Sequence, residues 1–90
     1  MPKKTIITHY QNNKITLENT WFHGAKLFFN DKLIAANNDF LALDKNKPIM
    51  SEKVNINGID KTIEAFAYAT LTVKLQIRVN GEIIGGELFE

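Results

Sequence analysis

The residues of this chain that could do chemistry are few and poorly placed for it. Its two histidines, His9 and His23, lie fourteen residues apart on segments that read as different strands. A zinc ion would need two further ligands, and Glu18, Asp31 and Asp39 are merely available, with no pair at ligand spacing. Cysteine is absent, which removes disulfides, thiolate metal sites and a cysteine nucleophile. Ser51 is the only serine, and on a strand its neighbour Glu52 points to the opposite face, so nothing marks a base or an oxyanion hole for it. Gly85-Gly86 follows a short apolar run without a helix after it, which is not a phosphate loop. The expectation is a non-enzymatic protein with no metal and no cofactor.

Binding offers more. Trp21 and Phe22 are adjacent aromatics that could form a stacking platform for a small ligand or a sugar. Lys26, Phe28 and Lys32 lie near Trp21, the interleaving of aromatic and basic residues that single-stranded nucleic acid favours. Eleven Lys and Arg against ten Asp and Glu leave a net charge of +1. So small a charge gives no field for nucleic acid or an anionic membrane, and the aromatics read better as core with a lysine rim. No apolar run reaches the roughly 18 residues of a membrane helix. Met1-Pro2-Lys3-Lys4 leads only into Thr5-Ile6-Ile7-Thr8, too short for a signal-peptide core, so the expected location is cytoplasmic.

The elements that would position these residues read as strands. The 90 residues are 44% hydrophobic and 23% charged, the composition of one globular domain spanning 1–90. Eleven Ile and seven Thr suit pleated surfaces, while ten Asn and five Gly suit tight turns. Leu71 to Val79 alternates without a break, Leu71, Val73, Leu75, Ile77 and Val79 against Thr72, Lys74, Gln76 and Arg78. Asn80-Gly81 then signals a two-residue hairpin, which sets Ile77 opposite Ile84, Val73 opposite Leu88 and Lys74 opposite Glu87, with a bulge expected at Gly85-Gly86. A second hairpin turns near Asn57-Gly58. There a two-residue loop would bury Lys61 beside Val54, so a four-residue loop pairing Val54 with Ile63 and Lys53 with Glu64 is preferred. Residues 61–69 support two readings, a helix capped by Asp60 or a strand running on toward Leu71. The alternation of Ile63, Ala65 and Ala67 favours the strand.

Further strand candidates fall at Lys3–Tyr10, Lys14–Glu18, Ala25–Phe29 and Lys32–Ala36, the last two joined by Asn30-Asp31, with Phe40–Leu43 as a short apolar run. Strands every eight to twelve residues predict an all-β sandwich or flattened barrel of about seven or eight strands. The segment from Lys26 to Ala36 also lines up, fifty residues on, with Gln76 to Gly86, each a strand, an Asn turn, two aliphatics and two small residues. That match predicts a duplicated half-domain, or else reflects the likeness of any two hairpins.

Trp21-Phe22-His23-Gly24, the hairpin after it, and the closing Arg78-Val79-Asn80-Gly81-Glu82-Ile83-Ile84 resemble the compact β-sandwich of the Fas apoptotic inhibitory molecule family, and small bacterial β-domains of similar layout. The resemblance implies a non-enzymatic protein acting through protein contacts, and it carries no functional residue across. The residues themselves point the same way. In the first hairpin Leu27 would face Ile34 on one side and Phe28 would face Leu33 on the other, so both faces are apolar. Burial under Phe40–Leu43 is one resolution; a surface for a protein partner or for self-association is the other. The interface candidates are Phe28 and Leu33, or Ile83 and Phe89 on the outer side of the last hairpin.

Overall fold

A computed structural model describes residues 3–20, 24–38, 46–69 and 73–89. It contains eight antiparallel strands: β1 (Lys3–Tyr10), β2 (Asn13–Thr20), β3 (Gly24–Phe29), β4 (Lys32–Asn37), β5 (Met50–Ile56), β6 (Ile59–Ala69), β7 (Val73–Val79) and β8 (Glu82–Gly86). They form two four-stranded meanders, β1-β2-β3-β4 (sheet A) and β5-β6-β7-β8 (sheet B), facing each other as a small all-β sandwich. Residues 61–69 belong to β6, which resolves the helix-or-strand alternative. Phe40–Leu43 and Trp21-Phe22-His23 lie outside the described residues. No described helix is long and apolar enough to cross a membrane.

Inward-facing residues of both sheets build one core, with Ile15, Leu17, Leu27, Ile63, Ala65, Leu75 and Ile77 fully enclosed. Period-two alternation explains why each sheet supplies one apolar face and keeps the other outside.

Four two-residue turns set the registers. Gln11-Asn12, Asn30-Asp31, Asn57-Gly58 and Asn80-Gly81 all have positive φ at both residues, the requirement of a type I′ turn. The turn at Asn57-Gly58 is therefore a two-residue loop, and the preferred four-residue loop is corrected: Val54 pairs with Lys61 and Lys53 with Thr62. Lys61 avoids an isolated buried charge because its ammonium donates to the Tyr10 hydroxyl at 2.8 Å and lies 4.9 Å from that ring's centre.

The last hairpin does carry a bulge, at Ile84 rather than at the expected Gly85-Gly86, and it moves the pairs beyond it. Arg78 pairs with Ile83, but Ile77 pairs with Gly85 rather than Ile84. Glu87 is thereby displaced from Lys74; its backbone N–H bonds the Leu75 carbonyl, and its carboxylate accepts from Lys4 of β1. The expected pairs Lys74–Glu87 and Val73–Leu88 are corrected accordingly. The first hairpin shows the same shift: Phe28 pairs with Leu33, then Leu27 with Ala35 rather than Ile34.

The fifty-residue repeat is thus structural. Both bulges fall at the same step, between Leu27 and Phe28 and between Ile77 and Arg78. Asn30 accepts from Lys14 N–H at 2.8 Å and Asn80 from Thr62 N–H at 2.9 Å, while their own N–H groups bond the carbonyls of Lys14 and Thr62. The sheets pack with β1 beside β8 and β4 beside β5. Thr8 donates to the Ile84 carbonyl, Lys4 reaches Val73 and Glu87, and Asn37 donates to the Ile49 carbonyl. Such crossing is what a pseudo-twofold axis parallel to the strands produces, since it lays the first strand of one meander on the last strand of the other.

Candidate functional site: the outer face of sheet A

The hairpin register gives Phe28 and Leu33 as outward neighbours, and the remaining strands extend the row. Ile7 pairs with Thr16, Thr16 with Phe28 and Phe28 with Leu33, so these four side chains cross the whole outer face of sheet A. Ile7 is 55% exposed and Leu33 49%, with Thr16 and Phe28 half-buried between them. One step along the strands, Thr5, Glu18, Lys26 and Ala36 form a parallel row, with Lys3 3.7 Å from the Glu18 carboxylate. At the turn end, Lys14 pairs with Asp31 at 3.0 Å. The row from Ile7 to Leu33 is thus a largely apolar strip bordered by charges of both signs.

Ile7 and Thr16 were not among the sequence candidates. The signal for Ile7 is the adjacent pair Ile6-Ile7: on a strand the two must face opposite ways, so one aliphatic is bound to lie outside.

Sheet B carries the other two candidates differently. Its matching row is Ser51, Glu64, Arg78 and Ile83, so the exposed Ile83 stands beside charges rather than in an apolar strip. Phe89 sits half-buried against its own Tyr68, ring centres 5.8 Å apart. Phe66, on the same outer face, is buried with the Arg78 guanidinium 4.1 Å from its ring centre, and Arg78 in turn donates to Gln76. Gln76 donates to the Glu87 carbonyl at 3.0 Å. The chain after β8 thus caps sheet B. The hydrogen bond from Lys4 holds the Glu87 carboxyl below its ordinary range, with attraction to Lys4 and Lys74 adding to it and partial burial opposing it.

Trp21 and Phe22, the stacking candidates, lie outside the described residues. Between the strands that flank them is a pocket of about 230 Å³ lined by Glu18, Thr20, Gly24 and Lys26. His9 is exposed on β1, and no cluster of three His, Asp or Glu that could hold a metal occurs among the described residues.

These features define a small antiparallel sandwich of two like meanders. The chain matches no family model, and no curated protein or solved structure shows significant similarity to it.

Proposed function

We propose that this protein is a non-catalytic, cytoplasmic interaction module that assembles with other protein surfaces through the outer face of sheet A. The observation that carries the reading is the row Ile7, Thr16, Phe28 and Leu33, whose two ends are both about half exposed. The two exposed aliphatics on the edge strands, joined by the half-buried Thr16 and Phe28, make one continuous row rather than apolar residues scattered singly. Strand addition at an edge is less favoured, because β1 lies against β8 and β4 against β5, and Thr8 already donates to the Ile84 carbonyl.

The test replaces Phe28 with Lys and Leu33 with Glu. Sedimentation from about 10 μM to 1 mM should show association in the natural protein and its loss in the variant, with the urea midpoint nearly unchanged. An unfolded variant would make those side chains part of the core. A natural protein that remains monomeric throughout would defeat the assembly reading.

A second reading, a site for a small ligand or carbohydrate, draws on the pocket lined by Glu18, Thr20, Gly24 and Lys26 and on Trp21 and Phe22, which lie between those residues in the sequence. Trp21 is the only tryptophan, so its fluorescence reports directly on titration with oligosaccharides. Saturable quenching would favour this reading, and an unchanged spectrum would remove it.

A further inference from the structure

We infer that the partner of sheet A is the same face of a second copy, packed about a twofold axis that runs parallel to the strands between β2 and β3. The inference rests on the reading of this face as an interaction surface and specifies its occupant.

Three observations converge on it. The first is size matching. A strand-parallel axis in the plane between the two copies keeps each row level and lays β1 on the partner's β4 and β2 on the partner's β3. The half-buried Phe28 then lies over the small Thr16 of the other copy, and Ile7 over its Leu33. Both contacts occur twice, as an isologous interface requires.

The second is charge. In the next row the same operation sets Glu18 over Lys26 of the other copy, and Lys26 over Glu18, so opposite charges meet on both sides of the axis. The border pairs the uncharged Thr5 with Ala36.

The third is precedent within the chain. Sheets A and B already pack with β1 beside β8 and β4 beside β5, the relation that a strand-parallel pseudo-axis produces. The proposed contact repeats on the outer face of sheet A the packing its inner face already makes. Twisted sheets stack well in this aligned manner.

The area is adequate. Four strands about 4.8 Å apart and about seven residues long, at 3.3 Å each, present roughly 440 Å² of flat face per copy. Side-chain relief brings the total over two copies past the roughly 1,000 Å² that a specific interface needs.

The absence of native cysteine makes the geometry directly testable. Across the axis, Ile7 faces Leu33, whereas Ile7 is about 14 Å, three strand spacings, to the side of its own counterpart. Added to the roughly 10 Å between packed sheets, that offset is beyond a short thiol crosslinker that spans the facing pair. With a short bis-maleimide, whose reach suits facing sheets about 10 Å apart, a chain carrying both Ile7→Cys and Leu33→Cys should form a covalent dimer, and each single variant should form none. Both sites are exposed, so folding should survive, and urea unfolding of the reduced proteins checks that it does. In the uncrosslinked protein, Glu18→Lys should weaken the dimer roughly tenfold, and adding Lys26→Glu should restore it.

A single Ile7→Cys variant that crosslinks to itself would overturn the inference in favour of an axis across the strands. So would a sedimenting dimer that none of the variants can trap. The first outcome would keep the face as an assembly surface; after the second, the Phe28→Lys, Leu33→Glu variant decides whether the dimer uses this face at all. A natural protein monomeric at 1 mM would overturn the inference and the assembly reading together.

Discussion

Sheet A turns Ile7, Thr16, Phe28 and Leu33 outward across the row where sheet B has Ser51, Glu64, Arg78 and Ile83. Wiring, turn type and bulge position are shared, so none of these decides which face can meet a partner. Sheet B neutralises its outer aromatic internally: Phe66 is covered by Arg78, and the chain after β8 binds Gln76 and Tyr68. The corresponding row of sheet A places charged Glu18 and Lys26 where sheet B has Phe66 and Gln76. A fold duplicated in one chain can thus assign closure to one half and contact to the other through side chains that never touch the core.

The bulges give the largest expected break in this equivalence. Ala36 and Gly86 occupy matching places, opposite Lys26 and Gln76. Only Gly86 has positive φ, at 94°, and a Cβ there would press on the Leu75 carbonyl and the Gln76 backbone. Gly86→Ala should therefore cost more than about 2 kcal/mol in urea unfolding, whereas Ala36→Gly should cost less than about 1 kcal/mol. Equal costs would mean that the two bulges carry the same strain.

A smaller and opposite pair of effects is expected at the turns. Sheet A uses Asn30-Asp31 where sheet B uses Asn80-Gly81, with φ of 67° at Asp31 and 84° at Gly81. A Cβ at Gly81 meets no atom within 4 Å, so only the backbone conformation resists it. Gly81→Ala should destabilise by about 1–2 kcal/mol. Asp31→Gly should stabilise by up to about 1 kcal/mol, reduced slightly by loss of the exposed pair with Lys14. Denaturation midpoints moving in the same direction would show that the turns are not equivalent.

The smallest effect is in pH. Glu87 is held below its ordinary value of 4.5 by Lys4, so its contribution to stability is complete above that value and fades as pH falls through the lower folded value. Asn37, which binds the Ile49 carbonyl where β4 meets β5, has no such titration. Lys4→Met should flatten the acid limb of the stability profile. A limb that is unchanged would assign it to other carboxylates.

Local chemistry made most of this architecture readable. Asn-Gly turns and alternation locate the strands, and the turn arithmetic places Phe28 opposite Leu33. What escaped depends on partners distant in sequence. The cost of burying Lys61 argued for the wrong loop because its acceptor, Tyr10, is 51 residues away. Glu87 was assigned to Lys74 because its actual partner, Lys4, is 83 residues away. The bulge at Ile34 was hidden for a different reason. Ala35-Ala36 lacks the glycines that, at Gly85-Gly86, follow and signal the matching bulge at Ile84, so the row beyond it was read one residue out of step.

The order of the strands also bears on how the chain reaches this structure. Every hydrogen-bonded neighbour in either sheet is also a neighbour in sequence, so each meander can zip from its turns without first closing a long loop. The non-local entropy is concentrated in a single late event, the docking of β1 on β8 and β4 on β5. Of these two seams, β4 and β5 are tethered by residues 38–49, whereas β1 and β8 come from opposite ends of the chain. Substitutions at the seam formed by Thr8 with Ile84 and Lys4 with Glu87 should therefore slow folding more than equally destabilising substitutions inside either sheet, which stopped-flow refolding would measure.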